Sequence, residues 1–112
     1  MARPNLTRSL LLEAPTRVPD GAGGYSEGWV PLGRHWAEVL AGAGSEAAGV
    51  ATVLSRVRYR ITVRAAQVGS TARPVADQRF RDGTRIFRIL SVAERDPGGR
   101  YLVCLSEEET AT

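Results

Sequence analysis

The chain has 112 residues, with 15 basic against 12 acidic side chains, a net charge of +3 and a hydrophobic content of 43%. That length fits one domain, which buries roughly 60–70% of its unfolded surface and so forms a modest core without staples. A single cysteine, Cys104, and a single histidine, His35, exclude an internal disulfide framework, a multi-cysteine zinc site and a His-rich metal site. No apolar run reaches the ~20 residues of a membrane-spanning helix, and no signal-type apolar region follows residues 1–5. No membrane association is expected, and cytosolic synthesis is the default. Every basic residue is arginine, which fits GC-rich coding and also fits planar ion pairs to another subunit or to phosphate. The charge is too small to require nucleic acid.

Residues 1–24 are expected to form a partly extended N-terminal arm. It carries the apolar run Leu10-Leu11-Leu12 and a stretch with Pro15 and Pro19 that no helix interior tolerates. Asp20-Gly21-Ala22-Gly23-Gly24 reads as a loop. It is no phosphate cradle, because Tyr25-Ser26-Glu27 follows where a P-loop carries Lys and Ser/Thr. Pro31 and Gly33 oppose a helix, and a strand centred on His35 to Val39 is predicted, with Trp36 near its start. His35 beside Trp36 reads as a structural residue rather than a ligand. Residues 41–55 change to small, almost uncharged side chains, with Ser45 and Glu46 able to open a short helix that Gly49 weakens by up to ~1 kcal/mol. So little charge is unusual for an exposed loop, and close approach to another chain or to a symmetry axis would explain it.

Val57, Tyr59, Ile61 and Val63 alternate with Arg56, Arg58, Arg60, Thr62 and Arg64. Period two with β-branched and aromatic residues is a strand with one apolar and one basic face. The arginines need acids on neighbouring strands, a second subunit or phosphate to offset their repulsion. Residues 66–78 read as a second irregular, protruding segment. Asp82-Gly83 between apolar runs then predicts a type I′ hairpin, and Asp96-Pro97-Gly98-Gly99 predicts a turn. Together they give a C-terminal meander with strands near 78–81, 84–93 and 100–106, the second of them central to the sheet. Cys104 falls mid-strand and reads as a core residue. The fold class expected is mainly β: a small β-barrel or sandwich of about five to six antiparallel strands, with at most one or two short helices, in a single 1–112 domain.

Catalytic constellations are not found. There is no Gly-x-Ser-x-Gly elbow, no His-Glu-x-x-His and no spaced His/Cys pair, while acids such as Asp77 and Asp82 flank turns. No enzymatic activity, cofactor, metal or catalytic residue is expected, so function must reside in surfaces. Two classes remain: a subunit of a structural assembly, and a small β-barrel nucleic-acid-binding module that would stack bases on exposed aromatics.

The order of features resembles the head–tail joining proteins, also called head-closure or stopper proteins, of tailed bacteriophages, prophages and gene transfer agents. The matching pieces run in order along nearly the whole chain. They are Leu10 to Leu12, Asp20 with Gly23-Gly24, Trp29, Trp36-Ala37-Glu38-Val39, Tyr59-Arg60-Ile61-Thr62-Val63-Arg64, Arg79-Phe80-Arg81-Asp82-Gly83-Thr84-Arg85-Ile86-Phe87-Arg88-Ile89 and Cys104-Leu105-Ser106-Glu107. Only the 66–78 segment has no anchored match. The resemblance implies a virion protein at the head–tail junction, present in the host cytoplasm during assembly. It implies a sixfold or twelvefold homo-oligomeric ring between a portal or adaptor protein and a tail terminator or tail tube protein, with double-stranded DNA passing through its lumen. On that basis Gly42, Gly44, Ser45, Glu46 and Gly49 are the candidate channel gate. Arg56, Arg58, Arg60 and Arg64 are the candidate intersubunit or lumen contacts.

Overall fold

A computed structural model describes residues 3–42 and 57–109. Six strands form: β1 (Arg8–Pro19), β2 (Tyr25–Ala41), β3 (Arg58–Arg64), β4 (Arg79–Asp82), β5 (Arg85–Glu94) and β6 (Tyr101–Glu109). All neighbouring pairs are antiparallel, and the sheet closes on itself in the order β1-β2-β3-β6-β5-β4, with β4 returning to β1. Closure leaves no edge on the barrel wall, which removes the aggregation hazard of a small open sheet. No helix occurs among the described residues, and the short helix allowed for after Ser45 lies outside them.

Inward side chains alternate along each strand as a pleated, half-buried sheet requires. Leu10 and Leu12 come from β1, Ala37 from β2, Ile61 and Val63 from β3, Phe80 from β4, Phe87 and Ile89 from β5, and Leu102 and Cys104 from β6. All ten are fully buried. Truncating Phe80 or Phe87 to Ala would cost about 3–5 kcal/mol, transfer and cavity terms combined. A bulge in β5 between Ile89 and Ser91 shifts the alternation by one residue, so that Val92 still packs against the core while Leu90 turns outward. The predicted strand over 84–93 is therefore apolar on both faces for a local reason. The Ser106 hydroxyl, fully buried, donates to the Cys104 carbonyl at 3.3 Å.

Several segments depart from expectation. The N-terminal arm supplies a wall of the barrel, because its leucines are needed inside. The strand expected around His35 to Val39 extends over 17 residues, since Pro31 and Gly33 sit at a bulge opposite Leu12 and Glu13 instead of ending it. The Asp82-Gly83 hairpin turns one residue later than predicted. Asp82 pairs with Arg85, so Gly83 and Thr84 are the central residues. Gly83 alone has positive φ, +62°, the requirement of a type II′ turn and not of type I′.

The 66–78 connection joins β3 to β4, whose ends meet at the same mouth of the barrel but are not neighbours in the sheet. It crosses that mouth, exposing Val68 at its tip while sinking Pro74 completely. The Arg73 guanidinium holds the loop together through the Ala66 carbonyl at 2.9 Å.

The loop between β1 and β2 is no slack connection either. The Asp20 carboxylate accepts the N–H groups of Ala22 and Gly24 at 2.8 and 3.1 Å, and these two bonds hold it below the usual carboxylate range. Beyond Glu13, β1 pairs only with β2, and β2 up to Trp36 pairs only with β1. The two strands thus run out of the barrel as a two-stranded ribbon, extending the molecule to 53 × 40 × 23 Å.

Burial pushes the Cys104 thiol up to about 12. A thiol kept protonated and covered in this way is inert. With a disulfide-exchange reagent at neutral pH, folded protein should release no thiol signal, and denaturant should release one equivalent with the unfolding transition. Rapid reaction of native protein would show that β6 does not face the core.

Candidate assembly interface

The outer wall of β2, β3 and β6 carries the arginines that period two assigns to one face. Three cross-strand rows follow from the register. Arg58 and Arg88 flank Glu107, Leu40 and Leu105 flank Arg60, and Glu38 and Val103 flank Thr62. Alternating charge in the first row supplies the offsetting acid: Arg58 Nε lies 3.6 Å from Glu107. Arg60 and Arg64 make no ion pair among the described residues. Arg60 lines a shallow groove of about 370 Å3 with Glu38, Leu40, Thr62, Glu94 and Arg95. Leu40 and Leu105 beside it are each more than two-fifths exposed, so the wall offers both charge and apolar area to a neighbour. Arg58, Arg60 and Arg64 are thus brought onto one outward surface.

Arg56, Gly44, Ser45, Glu46 and Gly49 lie outside the described residues. Gly42 does not. Its N–H donates to the Arg58 carbonyl at 2.6 Å, and a β-carbon there would come within 3.0 Å of that oxygen. A larger residue there would crowd the close of the β2–β3 end by a few tenths of an ångström.

Other arginines turn inward to the seams. Glu13, nearly buried, receives Arg79 Nε at 2.7 Å and faces Arg81 at 3.7 Å. The same Arg79 guanidinium lies 4.0 Å over the Trp29 ring, a cation–π contact that ties the ribbon to the barrel. Arg8 pairs with Asp82 across the same β1–β4 seam. Next to it, on the strand paired with Asp82, Arg85 grips both oxygens of Glu108 at 2.8 and 3.1 Å and reaches the Tyr59 hydroxyl at 3.3 Å. Hydrogen bonding to Arg85 lowers the Glu108 carboxyl and raises the guanidinium in turn. Sequence reasoning missed these pairs, because partners such as Glu13 and Arg79 stand 66 residues apart. The signal available was Glu13 beginning the polar continuation of a leucine run.

His35 sets its ring edge-on to Phe80, with centroids 6.1 Å apart, and burial lowers its imidazole. It is a packing residue, as read from the sequence. No cluster of metal-ligating side chains exists among the described residues. The two most exposed aromatics, Tyr25 and Trp36 at 62% and 61%, stand eleven positions apart on β2. At ~3.3 Å per residue that is roughly 36 Å, too far for successive bases to stack on both.

A closed six-stranded barrel with an outward arginine wall, a projecting ribbon and internally paired charges defines a structural β-barrel protein. Its family is specific. A family model described as phage head completion protein matches residues 1–109, and the chain belongs to that family, which gives it a structural, head-related role. A solved chain from the structure titled "Virion of native gene transfer agent (GTA) particle" is similar over 98% of this chain and 100% of its own, at 55% identity and a TM-score of 0.81. No curated protein matches.

Glu13 and Arg79 are both nearly covered, with side chains 7% and 12% exposed. Replacing Glu13 by Ala strands a buried guanidinium and should lower the unfolding free energy by about 3–5 kcal/mol. Asp77→Asn, which removes the charge of the exposed Arg88 pair and still tolerates the positive φ of 76° at this position, should cost no more than ~1 kcal/mol. Urea titration of the two variants measures the difference. Equal midpoints would show that the β1–β4 seam does not depend on the ion pair.

Proposed function

We propose that this protein is a subunit of a homo-oligomeric ring at the head–tail junction of a phage-like or gene-transfer-agent particle. It has no enzymatic activity. It joins a portal or adaptor protein to the tail and closes the DNA channel. The observation that carries this reading is the full-length similarity to a chain of a gene transfer agent virion, together with membership of the head completion family. Sixfold or twelvefold order follows from the resemblance in sequence.

The outer wall supports the reading physically. A ring needs two different patches that meet head to tail. A face with exposed Leu40 and Leu105 around Arg60, which makes no ion pair among the described residues, is suited to be one of them. Arg58, Arg60 and Arg64 then contact the next subunit or the lumen. Few of them grip phosphate, since a channel that passes DNA must release it.

The closing element in this reading is the small-residue segment that begins at Gly42 and includes Gly44, Ser45, Glu46 and Gly49. It rests on composition: little bulk or charge to crowd symmetry copies near an axis, and glycines that permit backbone change. Deleting residues 43–49 while keeping Gly42, whose N–H bonds the Arg58 carbonyl at the β2–β3 end, should leave the barrel folded. Heads that assemble with this variant but lack tails should lose packaged DNA, measured as nuclease-sensitive genome. Heads that keep their DNA would remove the gate from this segment.

A further inference from the structure

The ribbon that leaves the barrel has two edges, and its prolines make them unequal. In an antiparallel pair, residues alternate between positions whose N–H points to the partner strand and positions whose N–H points away. Asp20 donates its N–H to the Gly24 carbonyl at 3.0 Å, which fixes the alternation. Val18 with Ser26, Thr16 with Gly28 and Ala14 with Val30 are bonded pairs. Pro19 with Tyr25, Arg17 with Glu27 and Pro15 with Trp29 point outward. The position of every proline agrees, because a residue without an N–H fits such a ladder only where its nitrogen faces away.

On the β1 edge, two of the three outward positions are Pro15 and Pro19. That edge cannot accept a further strand. On the β2 edge, Tyr25, Glu27 and Trp29 all carry outward N–H and C=O groups. Pro31, the next outward position, ends the run. Tyr25, Ser26 and Glu27 are exposed. In the closed barrel each of the other strands has a neighbour on both sides, although among the described residues 8–10 of β1 pair with β2 alone and 91–94 of β5 with β6 alone.

We propose that the outer edge of β2 at residues 25–29 is a strand-pairing site for a five-residue extended segment of another particle protein, with a basic side chain opposite Glu27. The site rests on the joining role argued above and names where one neighbour attaches. A second copy of the chain is the poorer occupant. Two-fold pairing of this edge with itself, the register that uses all three outward positions, sets Glu27 directly opposite Glu27, and like charges across a pair are unfavourable. Head-to-tail pairing of ribbon on ribbon fails as well, because the ribbon's other edge is closed by Pro15 and Pro19. An added strand would place alternate side chains beside Tyr25 and Trp29 on one face and beside exposed Val30 on the other, which gives apolar purchase as well as main-chain bonds.

The matched variants Glu27→Pro and Arg17→Pro test the site. Each removes one outward N–H at the same level of the ribbon, from opposite edges, and neither removes a ladder bond. In the particle-producing strain with its own gene replaced, Glu27→Pro should cut the yield of tailed particles by about tenfold or more while filled heads accumulate. Arg17→Pro should stay within about twofold of the unaltered chain. Glu27→Lys, which keeps the N–H, should also lose yield through charge alone. Equal yields from the two proline variants, whether both normal or both lost, would overturn the proposal.

Amide exchange on intact particles decides the matter without any variant. The peptide covering residues 25–29 should exchange more slowly in the particle than in the isolated chain, and equal exchange would overturn the site. The joining role fails on a different result: tailed particles formed at normal yield when the gene is absent.

Discussion

The barrel is closed by its shortest strand. β4 has four residues and meets β1 through three pairs, Leu11 with Arg81, Leu12 with Phe80 and Glu13 with Arg79. Without those pairs the sheet would be an open ribbon of strands with two exposed edges. Phe80 contributes apolar burial and Arg79 contributes the buried ion pair, so one pleat of β4 serves the core and the next serves the seam. The projecting ribbon depends on the same place, because the guanidinium that holds Glu13 also lies over Trp29. One guanidinium thus touches both the closing seam and the base of the ribbon.

Arginine suits this arrangement where lysine would not. A planar fork can donate in its plane while its face stacks on a ring. Arg79 does both, and Arg85 bonds Glu108 and Tyr59 while lying 5.0 Å from the Phe87 ring centre. An ammonium in either position would keep the charge and lose the stacking geometry. Two groups stand out among the arginines. Arg8, Arg79 and Arg85 close the seams, and Arg58, Arg60 and Arg64 face outward on one wall. The first set makes a small barrel self-sufficient, and the second leaves it with a surface to offer.

Strand identity was legible wherever the alternation was strict. Residues 58–64 form the strand that period two predicts, and the meander from Arg79 onward has the three strands expected, shifted by about one residue. The errors came from features that period two does not encode. Pro31, Gly33 and Leu90 sit at bulges, which keep a strand running through residues that read as breakers or as continuous apolar content. The N-terminal leucines were recognised as apolar, but only their long-range pairing with Phe80 makes them a wall. The turn at Gly83 slipped by one residue because the pairing of Asp82 with Arg85, and not the Asp-Gly dipeptide, sets the register. For the site, the outward arginines were visible in sequence. The unequal edges of the ribbon were not, since they emerge only when Pro15 and Pro19 are assigned to one strand and placed against a partner.

A closed barrel, a charged outer wall and a ribbon with one usable edge describe a part made to be held by neighbours, consistent with a family whose role is to complete heads. The most direct measurement is a cryo-electron microscopy reconstruction of the particle's head–tail junction without imposed full-particle symmetry. The account predicts a ring of copies of this barrel around the DNA channel, with the β2–β3–β6 wall in contact with the next copy. Density that places the chain in the capsid shell or the tail tube, or as a single copy off the axis, would contradict it.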